Sequence, residues 1–253
     1  MMSRLDKSQI ERYSRQLVLK NIGPKGQKKI FFSKILIVGV GGLGCPAAEN
    51  LVRAGIGTIG LIDNDIVNLS NIHRQSLFNS KDLKKSKVSV AAKKLKQINP
   101  KTKIKTYKSR LNNNNIEKII QGYELIIDGS DNFQTKFLIN DYCVKLKKKL
   151  ITGAISKFDG HIFTFDFKNK NTPCLRCFFQ EDTISEEILN CEHEGILGTI
   201  PGIIGTIQAN EVLKEILKLG KNLNGYILIM DLLNLNFRKV KLSKQKNCLC
   251  KFI

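Results

Sequence analysis

The sequence has no long apolar run, few prolines and few acids, and each shortage narrows what the chain can be. Its longest glycine-tolerant apolar stretch covers residues 196–207. A membrane-spanning helix needs about 20 such residues, so no span is expected. The first 30 residues are polar and helical in pattern, without the apolar core of a secretory signal. A soluble cytoplasmic protein is therefore expected. Five prolines and 19 glycines are too few for a collagen-like chain, and 42% hydrophobic residues exclude a disordered one. A chain of 253 residues can build one α/β core without disulfides.

Acidic residues number 22 against 42 basic ones, a net charge of +20. Such a balance invites a nucleic-acid reading. The excess is lysine, however, with only eight arginines, and the lysines are scattered along the whole chain. Arginine is the residue suited to bidentate phosphate and base contacts. The pattern reads as solvated faces filled with lysine, and nucleic acid is not the expected partner. The seven cysteines stand at 45, 143, 174, 177, 191, 248 and 250. An odd number without a signal peptide argues for thiols, metal or catalysis rather than a disulfide framework.

No repeat and no Pro/Ser-rich linker divides the chain, so a single domain over 1–253 is expected, with a helical arm over 1–30. Residues 7–19 carry helical spacing, which Gly23, Pro24 and Gly26 are expected to stop. KILIVGV (34–40) is an unbroken apolar run, the signature of a strand buried on both faces. A helix is predicted over 45–54, a strand over 58–63 and a lysine-rich helix over 84–98. Strands follow at 102–107, 123–128 and 150–155, with a helix near 133–147. This alternation over 31–150 implies a parallel, Rossmann-like sheet with helices on both faces. The half 151–253 differs. HIFTFDF (161–167) alternates like an antiparallel strand, 178–195 reads as a long loop, 203–219 as a helix and 225–241 as two strands.

Gly39-Val40-Gly41-Gly42-Leu43-Gly44 fits GxGxxG between a predicted strand and a predicted helix. Glycines there bring backbone N–H groups close to phosphate, or simply allow tight strand–helix packing. Asp63 follows at the end of the next strand, where an acid can bond a ribose hydroxyl or cap a turn. Together they point to a nucleotide. Arg74 and Lys87 could neutralise several phosphates, although Lys81, Lys84 and Lys85 surround Lys87 and a solvated face is the plainer reading. Asp131, in Gly129-Ser130-Asp131-Asn132, falls at a strand's carboxyl end. It suits Mg²⁺ held by one carboxylate plus phosphate oxygens, or it caps the following helix.

ERYSRQLVL, GVGGLGC, LIDNDIVNLSNIHRQ, KSKV, DGSDN, the cysteine pair 174/177 and NCEHEGILG occur in that order. In this the chain resembles the MoeB/ThiF/HesA family, relatives of ubiquitin-activating enzymes, from about residue 11 to 250. The resemblance implies an adenylyltransferase. Such an enzyme uses ATP and Mg²⁺ to turn the C-terminal glycine carboxylate of a small ubiquitin-like sulfur carrier (MoaD- or ThiS-like) into an acyl-adenylate, for molybdopterin or thiamin synthesis. It further implies that Gly39, Gly41, Gly42 and Gly44 form the phosphate loop and that Asp63 takes the ribose. Ser70, Asn71, Ile72, His73, Arg74 and Lys87 would lie over the phosphates, and Asp131 would hold Mg²⁺ with Asn132 beside it. Arg15 is implied to reach the ATP of a second subunit, so a homodimer is expected. His73 stands where relatives often carry Gln. Cys191 matches a cysteine that some relatives join covalently to the carrier. Its acidic neighbours Glu192 and Glu194 do not favour a thiolate.

Cys174 and Cys177 with Cys248 and Cys250 would complete a closed Cys₄ zinc site in the second, carrier-binding half. Relatives usually end in CxxC; here the second pair is CxC. Cys45 and Cys143 read as small buried hydrophobes, and His161 as facing a strand surface. The chain stops three residues after Cys250, so sulfur is expected from a separate donor. Two rivals carry different chemistry: a dehydratase acting on tRNA threonylcarbamoyladenosine, and an NAD-dependent Rossmann oxidoreductase. The cysteine pairs weigh against the first, and Arg74, Lys87 and Asp131 against the second.

Overall fold

The computed structural model describes residues 5–179, 195–248 and 250. Its centre is β1 (Lys34–Val38), whose Ile35, Leu36, Ile37 and Val38 are all buried. A strand apolar on both faces must be covered on both faces. Ile35 and Ile37 pack with α4 (Gly44–Ala54), α5 (Lys87–Ile98) and a long helix, α9 (Thr199–Leu217). Leu36 and Val38 turn the other way, onto α6 (Ile116–Gln121), α7 (Phe133–Lys145) and the row Phe163, Phe165, Phe167.

One sheet of eight strands runs through the molecule in the order β3-β2-β1-β4-β5-β6-β7-β8. The first five are β1, β2 (Thr58–Ile62), β3 (Lys103–Tyr107), β4 (Leu125–Asp128) and β5 (Lys149–Ser156), all parallel to one another. The last three are β6 (Asp159–Asp166), β7 (Tyr226–Asp231) and β8 (Asn236–Lys241), added antiparallel. The chain builds outward from β1 to β3, then jumps back to place β4 on the other side of β1. That reversal leaves a crevice beyond the carboxyl ends of β1 and β4, the place where open α/β sheets bind ligands.

The expected sheet and its antiparallel extension are present, with four local differences. The helix foreseen over 7–19 is two pieces, α1 (Lys7–Arg12) and α2 (Ser14–Leu17). They break at Tyr13, which is buried and accepts a 2.8 Å hydrogen bond from Asn99. Gly23, Pro24 and Gly26 do not stop a helix but open α3 (Gly23–Phe32). Proline lacks only an N–H that a first turn leaves unused. For the same reason Pro201 sits in the first turn of α9, which starts at Thr199 rather than 203. The short α6 was not foreseen; its Ile116, Ile119 and Ile120 form a buried face. Phe178 ends α8 (Leu175–Phe178), and most of the expected loop 178–195, with Cys191 and His193, lies outside the described residues. No helix among the described residues is long and apolar enough to cross a membrane.

Candidate functional site

The crevice is a cleft of about 880 Å³, floored by the turns after β1, β2 and β4. Three glycines let those turns meet. Gly39 has φ +84°, and a Cβ there would lie 2.8 Å from the Gly129 carbonyl oxygen. A Cβ on Gly44 would lie 1.9 Å from the Gly39 carbonyl oxygen. Gly44 therefore serves close packing and does not line the cleft, whereas Gly39, Gly41 and Gly42 do.

Asp63 follows β2 on the cleft wall. Val40 N–H donates to its Oδ2 at 2.7 Å and Asp65 N–H to its Oδ1 at 2.8 Å. The turn-capping role is thus real, yet each oxygen keeps a lone pair for a ligand. Burial raises its pKa, against those two hydrogen bonds. Lys87 opens α5 and is buried, while Lys81, Lys84 and Lys85 are exposed. Its Nζ reaches Asp65 Oδ2 at 2.9 Å and it lines the cleft, so the solvated-face reading fails for this lysine alone.

Arg74 also lines the cleft. Its Nη1 donates to the Ser70 carbonyl oxygen at 3.0 Å and lies 2.8 Å from His73 Nε2. Ser70, Asn71, Ile72 and His73 stay behind the wall, in a 3₁₀ turn over Leu69–Asn71 and the residues after it. Asp131 and Asn132 both line the cleft. Asn132, not Asp131, caps α7, accepting from Thr135 N–H at 2.9 Å. Asp131 is left exposed, with a 3.2 Å contact from the Asn132 amide. Arg15 is exposed on α2 and is not on this cleft's wall.

The four cysteines foreseen as a set do converge. Sγ distances are 3.9 Å for 174–177, 3.6 Å for 174–248 and 3.7 Å for 177–250, and all four lie within 4.8 Å of one another. Tetrahedral zinc–sulfur bonds of about 2.3 Å place sulfurs about 3.8 Å apart, so the set fits one zinc ion, the CxC spacing included. The Cys177 thiol is pulled down to about 4 because it accepts from Cys174 and from backbone N–H groups, including that of Gln245. Cys45 and Cys143 are fully buried, as expected, and burial pushes the Cys45 thiol up to about 12.

The ThiF family pattern matches residues 13–251. The chain belongs to the ThiF family. A sulfur carrier protein adenylyltransferase of Thermus thermophilus is 38% identical over 248 residues, covering 97% of this chain and 92% of that protein. An adenylyltransferase and sulfurtransferase MOCS3 of Drosophila grimshawi is 43% identical over 246 residues, 97% of this chain but 55% of that protein. The chain thus spans about half the length of the MOCS3 relatives it matches. Among solved structures, E. coli MccB with ATP superimposes with a TM-score of 0.81 at 22% identity, over 94% of this chain and 73% of that one. At that identity the likeness speaks for the fold.

Within this ThiF-family cleft, several wall residues were not foreseen. Gln75 is buried there, and its Oε1, like Asn71 Oδ1, is buried without a hydrogen-bond partner. Ser109, Arg110 and Leu111 enter from the turn after β3. Their signal was available, since they follow a parallel strand's carboxyl end. His161 also lines the cleft instead of merely facing a strand surface, because β6 lies antiparallel on β5 and pairs it with Ala154. Lys136, buried at 6% exposure, had no sequence signal at all.

Proposed function

We propose that the chain is an ATP-dependent adenylyltransferase for the C-terminal glycine carboxylate of a small ubiquitin-like sulfur carrier protein. The observation that carries this is the gathering of Arg74, Lys87, Asp63 and Asp131 on one cleft at the sheet's switch point. The 38% identity to a carrier adenylyltransferase over nearly its whole length supports the substrate class.

In this reading ATP lies with its phosphates over the Gly39–Gly42 turn and its ribose on Asp63. A carrier carboxylate oxygen bonds to the α-phosphorus as the bond to the bridging oxygen breaks, releasing pyrophosphate. The attacking group is already an anion at neutral pH, so no general base is required. The difficulty is the approach of like charges, which fixed cations offset. Arg74 is braced by Ser70 and His73, while Lys87 is held by Asp65 and keeps donors for phosphate. Mg²⁺ held by the Asp131 carboxylate beside Asn132 would stabilise the charge on the departing pyrophosphate. The side-chain carbonyl oxygen of Gln75, buried on the cleft wall and without a hydrogen-bond partner among the described residues, is suited to accept from a bound ligand.

The whole chain acts as one adenylation domain. Its arm over 1–30 carries Arg15, whose exposed position off its own cleft supports service to a second subunit in a homodimer. Zn²⁺ on Cys174, Cys177, Cys248 and Cys250 would tie residues 248–250 to α8 and serve structure. Cys191 belongs to sulfur transfer after adenylation, with sulfur from a separate donor, on a MoaD- or ThiS-like carrier of molybdopterin or thiamin synthesis in the cytoplasm. The test is ATP–pyrophosphate exchange with purified candidate carriers. Exchange is expected only with a carrier bearing an intact C-terminal glycine. Exchange that ignores the carrier, or that requires tRNA, would overturn the reading.

A further inference from the structure

Asp131 owes its place to its neighbours, because it does not cap α7 and, among the described residues, its carboxylate accepts only from the Asn132 amide. On its far side Asn132 is fixed by capping α7. On its near side Ser130 is fixed by Asp128, a carboxylate with no exposed surface. Asp128 Oδ1 accepts both the Ser130 N–H, at 2.9 Å, and the Ser130 hydroxyl. Its Oδ2 accepts the Thr152 hydroxyl and, at 3.1 Å, the Lys136 ammonium. Lys136 donates a second hydrogen bond of 2.7 Å to the Gly153 carbonyl oxygen. One buried cation thereby joins the turn after β4, the first turns of α7 and strand β5.

A buried ammonium at a helix's positive end is costly, and so is a buried carboxylate without a counter-ion. Each group here is tolerable only because of the other. The geometry points to Lys136 as a positioning residue: through Asp128 it fixes the Gly129-Ser130 turn and so the direction of the Asp131 carboxylate. Without Lys136, Asp128 is a buried carboxylate without its counter-ion, and the turn is drawn toward water. That change disturbs the acceptor that holds Ser130, and Asp131 with it. Lys136 belongs to the cleft wall, yet its charge is spent on Asp128 and Gly153 rather than presented to a ligand. The inference rests on the reading that Asp131 holds the divalent cation.

The test measures binding of α,β-methylene-ATP to the full-length protein by calorimetry, with and without Mn²⁺. The readout is the tightening that the metal adds. Lys136→Met is expected to bind the nucleotide like wild type without metal and to lose roughly tenfold or more of the metal's tightening. Lys136→Arg, which keeps charge and donors, is expected to restore it. Full tightening in Lys136→Met overturns the inference. So does a matching loss of metal-free affinity, which would mean either direct phosphate contact or a collapsed cleft. Asp131→Ala separates the two readings. If it keeps the tightening, the metal assignment fails and takes the inference with it; if it loses the tightening while Lys136→Met retains it, only the inference fails. Should Lys136→Met not fold, Thr152→Val carries the test. It removes one donor from Asp128 at nearly the same shape, and tightening undiminished in that variant overturns the proposal.

Discussion

The cleft at the sheet's carboxyl edge and the cysteine cluster between α8 and the segment after β8 are built on opposite plans. The cleft leaves polar groups under-partnered: among the described residues Asp131 has one amide contact, and Gln75 buries a side-chain carbonyl oxygen without a donor. The cluster crowds four thiols to within 4.8 Å of one another, with Cys174, Cys177 and Cys248 buried. A site whose ligand comes and goes must keep unsatisfied groups and an opening. A site whose ion stays can close completely, because the ion's binding energy becomes folding energy. The teaching is that damage to the two should be read by different instruments, rate for one and stability for the other.

That contrast can be broken in several ways. The largest effect is expected at the cluster. Cys248→Ser/Cys250→Ser should reduce zinc from one ion per chain to none and lower Tm by roughly 10 °C or more. Elemental analysis of anaerobically purified protein checks the first and calorimetry the second; metal-free wild type would void the plan. Next is Asp131→Ala, which should cut carrier-dependent pyrophosphate exchange by roughly 100-fold or more while Tm holds. Wild-type-like exchange in this variant would reject the assignment of the carboxylate. Arg15→Ala should lose about 10- to 150-fold, the worth of one charge-assisted phosphate contact. Mixing Arg15→Ala with Asp131→Ala subunits should restore part of the rate if Arg15 crosses between subunits, and none if it serves its own chain.

A smaller effect concerns His161. Burial lowers its pKa below 6.5, against the pull of Asp159. A depressed histidine leaves stability whole above the unfolded value and erodes it as pH falls, because only the unfolded chain takes the proton. His161→Gln should therefore flatten the decline in Tm below about pH 6.5, and an unchanged slope would show that the imidazole is not the cause. The smallest is Cys191→Ala, whose exchange rate should equal wild type whatever follows in sulfur transfer.

How much of this was legible in the sequence depended on distance along the chain. The strand–glycine–helix unit at 34–54 was readable because its parts are local: an apolar run, glycines at fixed spacing and proline in a first turn. Asp63 and Asp131 were readable because each ends a recognisable strand. Lys87 could not be told from Lys84 and Lys85 by type, since only the fold buries one and leaves the others in water. Lys136 was invisible for a related reason. Its partners Asp128 and Gly153 come from two strands, and nothing near it in sequence announces a buried cation. Gly23, Pro24 and Gly26 were misread because the same residues that end one helix can open another.

The three glycines at 39, 44 and 129 bear on which sequences this fold can visit. A side chain at position 39 would strike the carbonyl of 129, and one at 44 would strike the carbonyl of 39. The first would wedge apart the two turns that carry the phosphate-binding backbone and Asp131, and the second would force open the glycine turn at Gly39 itself. Such lesions share one strain, so combining them should cost less than their sum. Gly202, by contrast, has nothing within 4 Å of where a Cβ would stand. A saturation library selected for function should come back invariant at 39 and 44, restricted to small residues at 129 and richly varied at 202, a record of those backbone contacts written in survivors.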